Sequence, residues 1–518
     1  MNHYINIIFS LIIRTGKFFW DQLHSYYQQW LCHSLVRPEQ YAAMCGNRAK
    51  LNTKIFAPLR LCVSRKAAYA ALIVIIATFT SCSKILDVVS PNEVEDEDVF
   101  TSAAGLRNAR VGMYNTLQDR NYYGAYFPLL AECYTDNGTT GGYDVIDLND
   151  IAARTVGTAN IYVQNTYNAI YNSIYTANKI INNAEAVPGI DDEEKNNILG
   201  EAFFVRALCN FDLLRMYGEH WDKSSPYGIS IVTSSDKPKD AVARSTVDAS
   251  YQQIISDLEE AVSQLNTFNG NQYVSVSAAR ALLARVYLYY GDKAKAAAMA
   301  TEVIDDSNFE LFDAENFTKI YTEKLTPESV FELKFDPQNT STYNTATYQR
   351  PDALRSEVIF LANADLNTFF EDREDDARAA LLDYENVDVS IQPDGRTEKY
   401  RGETTKDNSA YVIRLAEMYL IRAEARGRVQ GLADLNTLRA HRGLPALSSG
   451  SLTTDALFIN AVLEERRAEL NFEGHRLFDL ARLGKVEEFL GADVQSIMPI
   501  PQREIAATSG VVEQNPGY

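Results

Sequence analysis

The stretch "EEKNNILGEAFFVRALCNFDLLRMYG", residues 193–218, constrains the fold more than any other. Leu199, Phe203, Ala207, Phe211 and Leu214 recur at steps of three and four, which is the period of one helix face. Acidic residues 191–194 stand where the helix dipole favours negative charge, and Gly218 is a natural stop. The same period returns along the chain. It predicts helices over 247–265, 165–186 and 195–217, and again over 409–426 and 431–440.

"SAARALLARVYLYYGDKAKAAAMATEVIDDS", 277–307, predicts two helices meeting at Gly291-Asp292. Small Ala284, Ala296 and Ala300 allow close approach, and bulky Leu283 and Tyr287 fill the gaps. This resembles a tetratricopeptide helical pair. Such pairs are expected mainly over 165–304 and 409–480, at spacings too irregular for a strict repeat array. Between them, 121–150, 217–235 and 334–352 are rich in Gly, Asn, Thr and Tyr and are expected as loops. The alternation in "ESVFELKF", 328–335, predicts a short strand.

Charge is divided unevenly. Residues 1–81 hold nine Lys/Arg and two Asp/Glu, a net of +7, leaving −27 for the rest against a total of −20. An acidic body with no basic stripe disfavours nucleic acid. Within the basic segment, Arg65 and Lys66 precede an apolar run from Ala67 to Thr80, then Ser81 and Cys82. At 14 residues the run is shorter than the about 20 a spanning helix needs. Charged start, short apolar run, small residues and then Cys is the layout of a bacterial lipoprotein signal, with Cys82 the lipidated residue. Residues 63–81 are therefore expected as the signal peptide and 82–99 as an acidic tether. Residues 1–62 are expected to precede the true translation start or to be removed with the signal. One domain is expected over 100–518.

Cys133 and Cys209 are the only cysteines after residue 82. A disulfide between them and burial as small hydrophobes both fit the spacing. His220, His441 and His475 have no metal-ligand spacing, so no metal or other cofactor is expected. Glu473, His475 and Arg476 could suggest acid–base chemistry, but with no nucleophile nearby they are expected to form a structural network. Arg414 and Glu417 are expected to pair within one helix. The run Glu464, Glu465, Arg466, Arg467 and Glu469 is expected as a charge ladder at helical spacing.

Four blocks in order then set the chain beside a known group: "EAFFVRALCNFDLLRMYGE" (201–219), "YVIRLAEMYLIRAEA" (411–425), "LEERRAELNFEGHRLFDLARLGK" (463–485), and "IMPIPQREI" (497–505) with "QNPGY" (514–518). They resemble the SusD/RagB family of Bacteroidetes outer-membrane lipoproteins. The resemblance covers essentially 82–518. It implies a mainly α fold, with tetratricopeptide-like pairs as scaffold beside an irregular, loop-rich ligand-binding region. It implies a surface binding subunit, not an enzyme. That subunit captures a nutrient, usually an oligosaccharide, and passes it to a SusC-type TonB-dependent β-barrel. A tetratricopeptide-type interaction module and a surface glycoside hydrolase are the alternatives.

A sugar presents C–H faces and a rim of hydroxyls, so its site needs aromatic platforms and polar side chains. The family's ligand loops point to the inserts 121–150 and 310–400. Within them Asp136, Asn137 and Tyr143, then Tyr343, Asn344, Tyr348 and Arg350, are the expected contacts. Trp221, beside the "RMYGE" block, is expected to pack on the scaffold.

Overall fold

The computed structural model describes residues 99–141, 145–235, 240–266, 268–347, 359–383, 395–400 and 407–518. All of them fall within one unit, Pro91–Tyr518. Expectations placed on 1–98, including Cys82, and on Tyr143, Tyr348 and Arg350 lie outside the described residues.

The order begins α1 (Ala103–Leu117), α2 (Tyr126–Cys133), β1 (Gly138–Thr140), α3 (Ile146–Ala152), α4 (Ile161–Asn183), α5 (Asp192–Tyr217), α6 (Val247–Gln264), α7 (Val276–Tyr290) and α8 (Lys293–Ile304). It continues with α9 (Lys319–Thr322), β2 (Ser329–Leu333), α10 (Tyr343–Thr347), β3 (Phe360–Ala362), α11 (Ala364–Glu371), β4 (Leu382–Asp383), β5 (Arg396–Thr397) and β6 (Ala410–Arg414). The last elements are α12 (Leu415–His441), α13 (Asp455–Leu470), α14 (Arg476–Arg482), α15 (Val486–Leu490) and α16 (Gln502–Ala507). Strands are few and pair antiparallel two by two, β1 with β3, β2 with β6 and β4 with β5.

The helices begin and end where their residues dictate. Asp191 caps α5, three acidic residues follow in its first turn, and Gly218 ends it. Gly291 stops α7 at φ 90°, a conformation that suits glycine, and the Asp292 carboxylate then accepts from Lys295 N at 3.0 Å to start α8. Packing departs from the single stripe read in α5. From Ile198 onward this helix is buried on nearly every side, Glu201, Arg206, Asn210, Asp212 and Arg215 included. It is the central helix, flanked by α4 and α6. Its charges are met across the core: Arg206 forks onto Asp257 of α6 at 2.8 and 2.6 Å, and Arg110 of α1 forks onto Glu201 at 2.5 and 2.6 Å.

Three further expectations are corrected. Residues 126–133, read as loop, form α2, and every one of its residues is buried. Arg414 and Glu417 do not pair: Arg414 ends strand β6 and turns to Glu469 and Glu473, while Glu417 takes Arg285 of α7 at 2.8 and 2.5 Å. The charge ladder of α13 is not a surface feature along one helix. Glu465, Arg466 and Glu469 are buried and reach other elements. Cys133 and Cys209 are both free and buried.

The tail is stitched to the end of α5. Asn515 Nδ2 donates to the Tyr217 carbonyl at 2.9 Å and to the Met498 carbonyl at 2.8 Å, and Tyr518 Oη donates to the Ile497 carbonyl at 2.7 Å. Among the described residues no helix is long and apolar enough to cross a membrane.

Candidate functional site

A buried ion network fixes the region between α12, α13 and the insert. Glu469 accepts from Arg414 at 2.7 Å, from Arg442 at 2.9 Å on both oxygens and from Arg378 at 3.2 Å. Glu473 accepts from Lys399 Nζ at 2.6 Å, Arg414 Nε at 2.9 Å and Tyr321 Oη at 3.0 Å. Its carboxylate is buried, and these cations and the tyrosine tie both of its oxygens into the network. His475 is buried too. Burial, followed by the charges of Arg285, Arg466, Arg215 and Arg414, holds its imidazole well below the usual range. Glu473 and Arg476 are thus held in separate ion pairs, Arg476 with Asp136, while the His475 imidazole is buried with no hydrogen bond at Nδ1 among the described residues.

From this rigid base a second chain of contacts runs outward. The Glu132 carboxylate on α2 accepts from the backbone N–H of Gly474 at 3.1 Å and of His475 at 3.0 Å, and from Asn137 Nδ2 at 2.8 Å. Gly474 sits at φ 79°, and a Cβ there would lie 2.6 Å from Pro128 Cα, so the turn admits only glycine. Asn137 Oδ1 then accepts from Arg467 Nε at 2.8 Å. Asp136 lies 3.2 Å from Arg467 and forks with Arg476 at 2.9 and 2.7 Å. Burial pushes the Asp136 carboxyl up, but Arg476 and Arg467 outweigh it and hold it below the usual range. Arg467 leaves this clamp to lie over the Phe369 ring, 5.0 Å from its centre, and Arg373 lies over the same ring at 5.1 Å.

Phe369 is at the wall of an open cavity of about 500 Å³. Arg373 and Arg439 flank it, Leu444 and Pro445 add apolar surface, and Asp372, Asp375 and Glu464 supply carboxylates. Both arginines are anchored from behind by Glu465, and Arg439 Nε also donates to the Pro445 carbonyl at 3.0 Å. The cavity thus joins an aromatic platform to fixed donors and exposed acceptors, the chemistry a hydroxyl-rich ligand needs. No cluster that could hold a metal ion occurs among the described residues.

The expected contacts fall elsewhere than an exposed loop would place them. Asp136 and Asn137 are buried and position Arg467. Tyr343 is 1% exposed, stacks on Tyr400 with ring centres 4.2 Å apart, and donates to the Tyr123 carbonyl at 2.9 Å. Asn344 is fully buried. None of these four offers a face to a ligand. Trp221, expected to pack, is 40% exposed and meets His220 edge-on at 5.1 Å. Sequence reasoning missed Phe369, Arg373, Arg439 and Arg467. The aromatic-then-charged run "FFEDRED", 369–375, is the signal that could have found the first two.

Comparison with known proteins agrees with this architecture. A family model described as "Starch-binding associating with outer membrane" matches residues 84–288, and the "SusD family" model matches 243–496. "SusD-like protein P2" of Formosa agariphila is 28% identical over 86% of this chain and 98% of its own length. A SusD superfamily protein from Bacteroides vulgatus is 28% identical, with a TM-score of 0.71 over 81% of this chain and all of its own. Another, from Bacteroides thetaiotaomicron, is 25% identical, with a TM-score of 0.70 over 82% of this chain and all of its own.

Proposed function

This chain belongs to the SusD family, and we propose that it is the lipid-anchored subunit that captures an oligosaccharide and delivers it to a SusC-type TonB-dependent outer-membrane transporter. The family is one of carbohydrate-binding proteins of nutrient uptake. The observation that carries the reading is the extent of the match, which the two models together take from residue 84 to 496. The mainly helical fold, superposing on the whole of a solved SusD superfamily chain, supports it.

In this reading residues 63–81 direct export, Cys82 carries the lipid, and 82–99 tether the domain outside the outer membrane. Residues 1–62 are absent from the mature protein. The Phe369 cavity receives the glycan, and Tyr143 in the first loop and Tyr348 and Arg350 in the later one are further ligand contacts. Asp136, Asn137, Tyr343 and Asn344 hold those loops in place. A protein of this kind binds and hands on its ligand unchanged; the ion-paired, buried Glu473 carboxylate and the buried His475 are consistent with that role.

Co-purification tests the reading. The chain is tagged at its C-terminus in its native host, outer membranes are solubilised in mild detergent, and intact masses of the eluate are taken. A large β-barrel in equal amount, with this chain starting at an acylated Cys82, supports it. A chain eluting alone, with residues 1–81 still attached, overturns both anchor and partnership.

A further inference from the structure

A second cavity, of about 480 Å³, shares no lining residue with the first. One wall is α4, where Tyr167, Tyr171 and Tyr175 follow at i, i+4 and i+8 and so share a helix face. Another is α16 with the residue after it, carrying Glu504 and Thr508. The inner rings are locked. Tyr167 packs edge-on against Tyr217 at 5.1 Å and lies 4.8 Å from Tyr171, whose Oη donates to the Ser230 carbonyl at 3.1 Å. The outer groups are open. Tyr175 carries the Lys179 ammonium over its ring at 4.6 Å, but its Oη has no partner among the described residues. The Glu504 carboxylate also has none there, although partial burial pushes its pKa up. Asn168 and Asp240, both exposed, stand at the rim.

We propose that this cavity is a second saccharide site, taking a neutral oligosaccharide. The inference rests on the reading of the chain as a glycan-binding protein. Tyr171 and Tyr175, both partly exposed, are stepped by about 6 Å along the helix, comparable to one pyranose unit, so these two rings can meet successive sugars, with Tyr167 buried behind them. The volume lies within the about 300–1,000 Å³ of small-molecule sites. Tyr175 Oη and the Asn168 amide can donate to sugar oxygens, while Glu504 and Asp240 accept from hydroxyls. The two carboxylates select against uronic and sulfated sugars by like charge. Among the described residues the scaffold makes no use of the Tyr175 hydroxyl or the Glu504 carboxylate, which leaves both to a ligand.

The test is equilibrium dialysis of the full chain against labelled neutral hexasaccharides of glucose, xylose and mannose, with hexaguluronate as the anionic probe. Wild type is compared with Y175A/E504Q and with F369A, and thermal melting checks that each variant folds. Two molecules of a neutral probe per chain are expected, one of them lost, at least about tenfold weaker, in Y175A/E504Q. A single molecule, lost in Y175A/E504Q and kept in F369A, supports the second site and overturns the Phe369 cavity instead. A single molecule lost only in F369A overturns the second site and leaves the proposed function standing. Binding of no neutral probe, or preference for hexaguluronate at this site, overturns the inference.

Discussion

The guanidinium of Arg467 lies 5.0 Å from the centre of the Phe369 ring, held there by the side chain of Asn137 at 2.8 Å. A residue of the first insert thus orients a cation from α13 over an aromatic ring of the second. Arg467→Lys keeps the charge but loses the planar stack and the fork toward the 136–137 loop. It is expected to weaken saccharide binding about tenfold while unfolding stability falls by only about 1 kcal/mol. Calorimetric titration beside a denaturant melt separates the two; an unchanged affinity would detach Arg467 from the site.

Tyr343→Ala is expected to act on stability, not on contact with ligand. The ring is 1% exposed and stacked on Tyr400. Emptying such a site costs roughly 3–5 kcal/mol. A denaturation midpoint within error of wild type would contradict this packing.

Arg414→Met removes one of the cations serving Glu469, Glu473 and Glu328, all of them buried. Breaking a buried pair from one side leaves charge without compensation, at about 3–5 kcal/mol. Low soluble yield or early unfolding is the expected result, and a Glu473→Gln change in the same background should recover part of the loss.

Acid should unfold the chain in two overlapping stages. Burial, with Arg215 and Arg482, holds His220 at about 3 against 6.5 for the free side chain. The unfolded chain takes up that proton first, so this stabilisation is complete above pH 6.5 and is lost as pH falls to about 3. Burial raises Glu465, but Arg378, Arg373 and Arg439 override it and hold it at about 2, so its contribution is present above 4.5 and is lost toward about 2. Denaturant midpoints taken from neutral pH downward should fall, and His220→Gln should flatten the upper stage. A slope unaffected by that change would remove His220 from the account.

Cys82→Ala is expected to release the protein from the outer membrane into the soluble fraction. Fractionation of the native host with an antibody against the domain reads this directly. Retention at wild-type level would place the anchor elsewhere.

Local sequence carried the helices because their signals are local. The caps Asp191, Asp292 and Thr246 stand at their helix starts, Gly218 and Gly291 at their ends, and the strand at 329–333 forms within the run that predicted it, although all five of its residues are buried. The family blocks were legible for the same reason: each is one continuous run. The roles of charged residues were not. Glu417 was assigned to Arg414 because they are three apart, yet its partner, Arg285, is 132 positions away. Asp136, Asn137, Tyr343 and Asn344 read as loop residues free to meet a ligand, but each is buried by elements distant in the chain. Periodicity and capping depend on neighbours within a turn or two, so the sequence by itself determined where the long helices run, though not the short α2, and what class of protein they build. Burial and ion pairing depend on what the folded chain brings alongside, so only the tertiary structure decided that Asp136 and Asn137 hold Arg467 in place, and that Phe369 is the ring it covers.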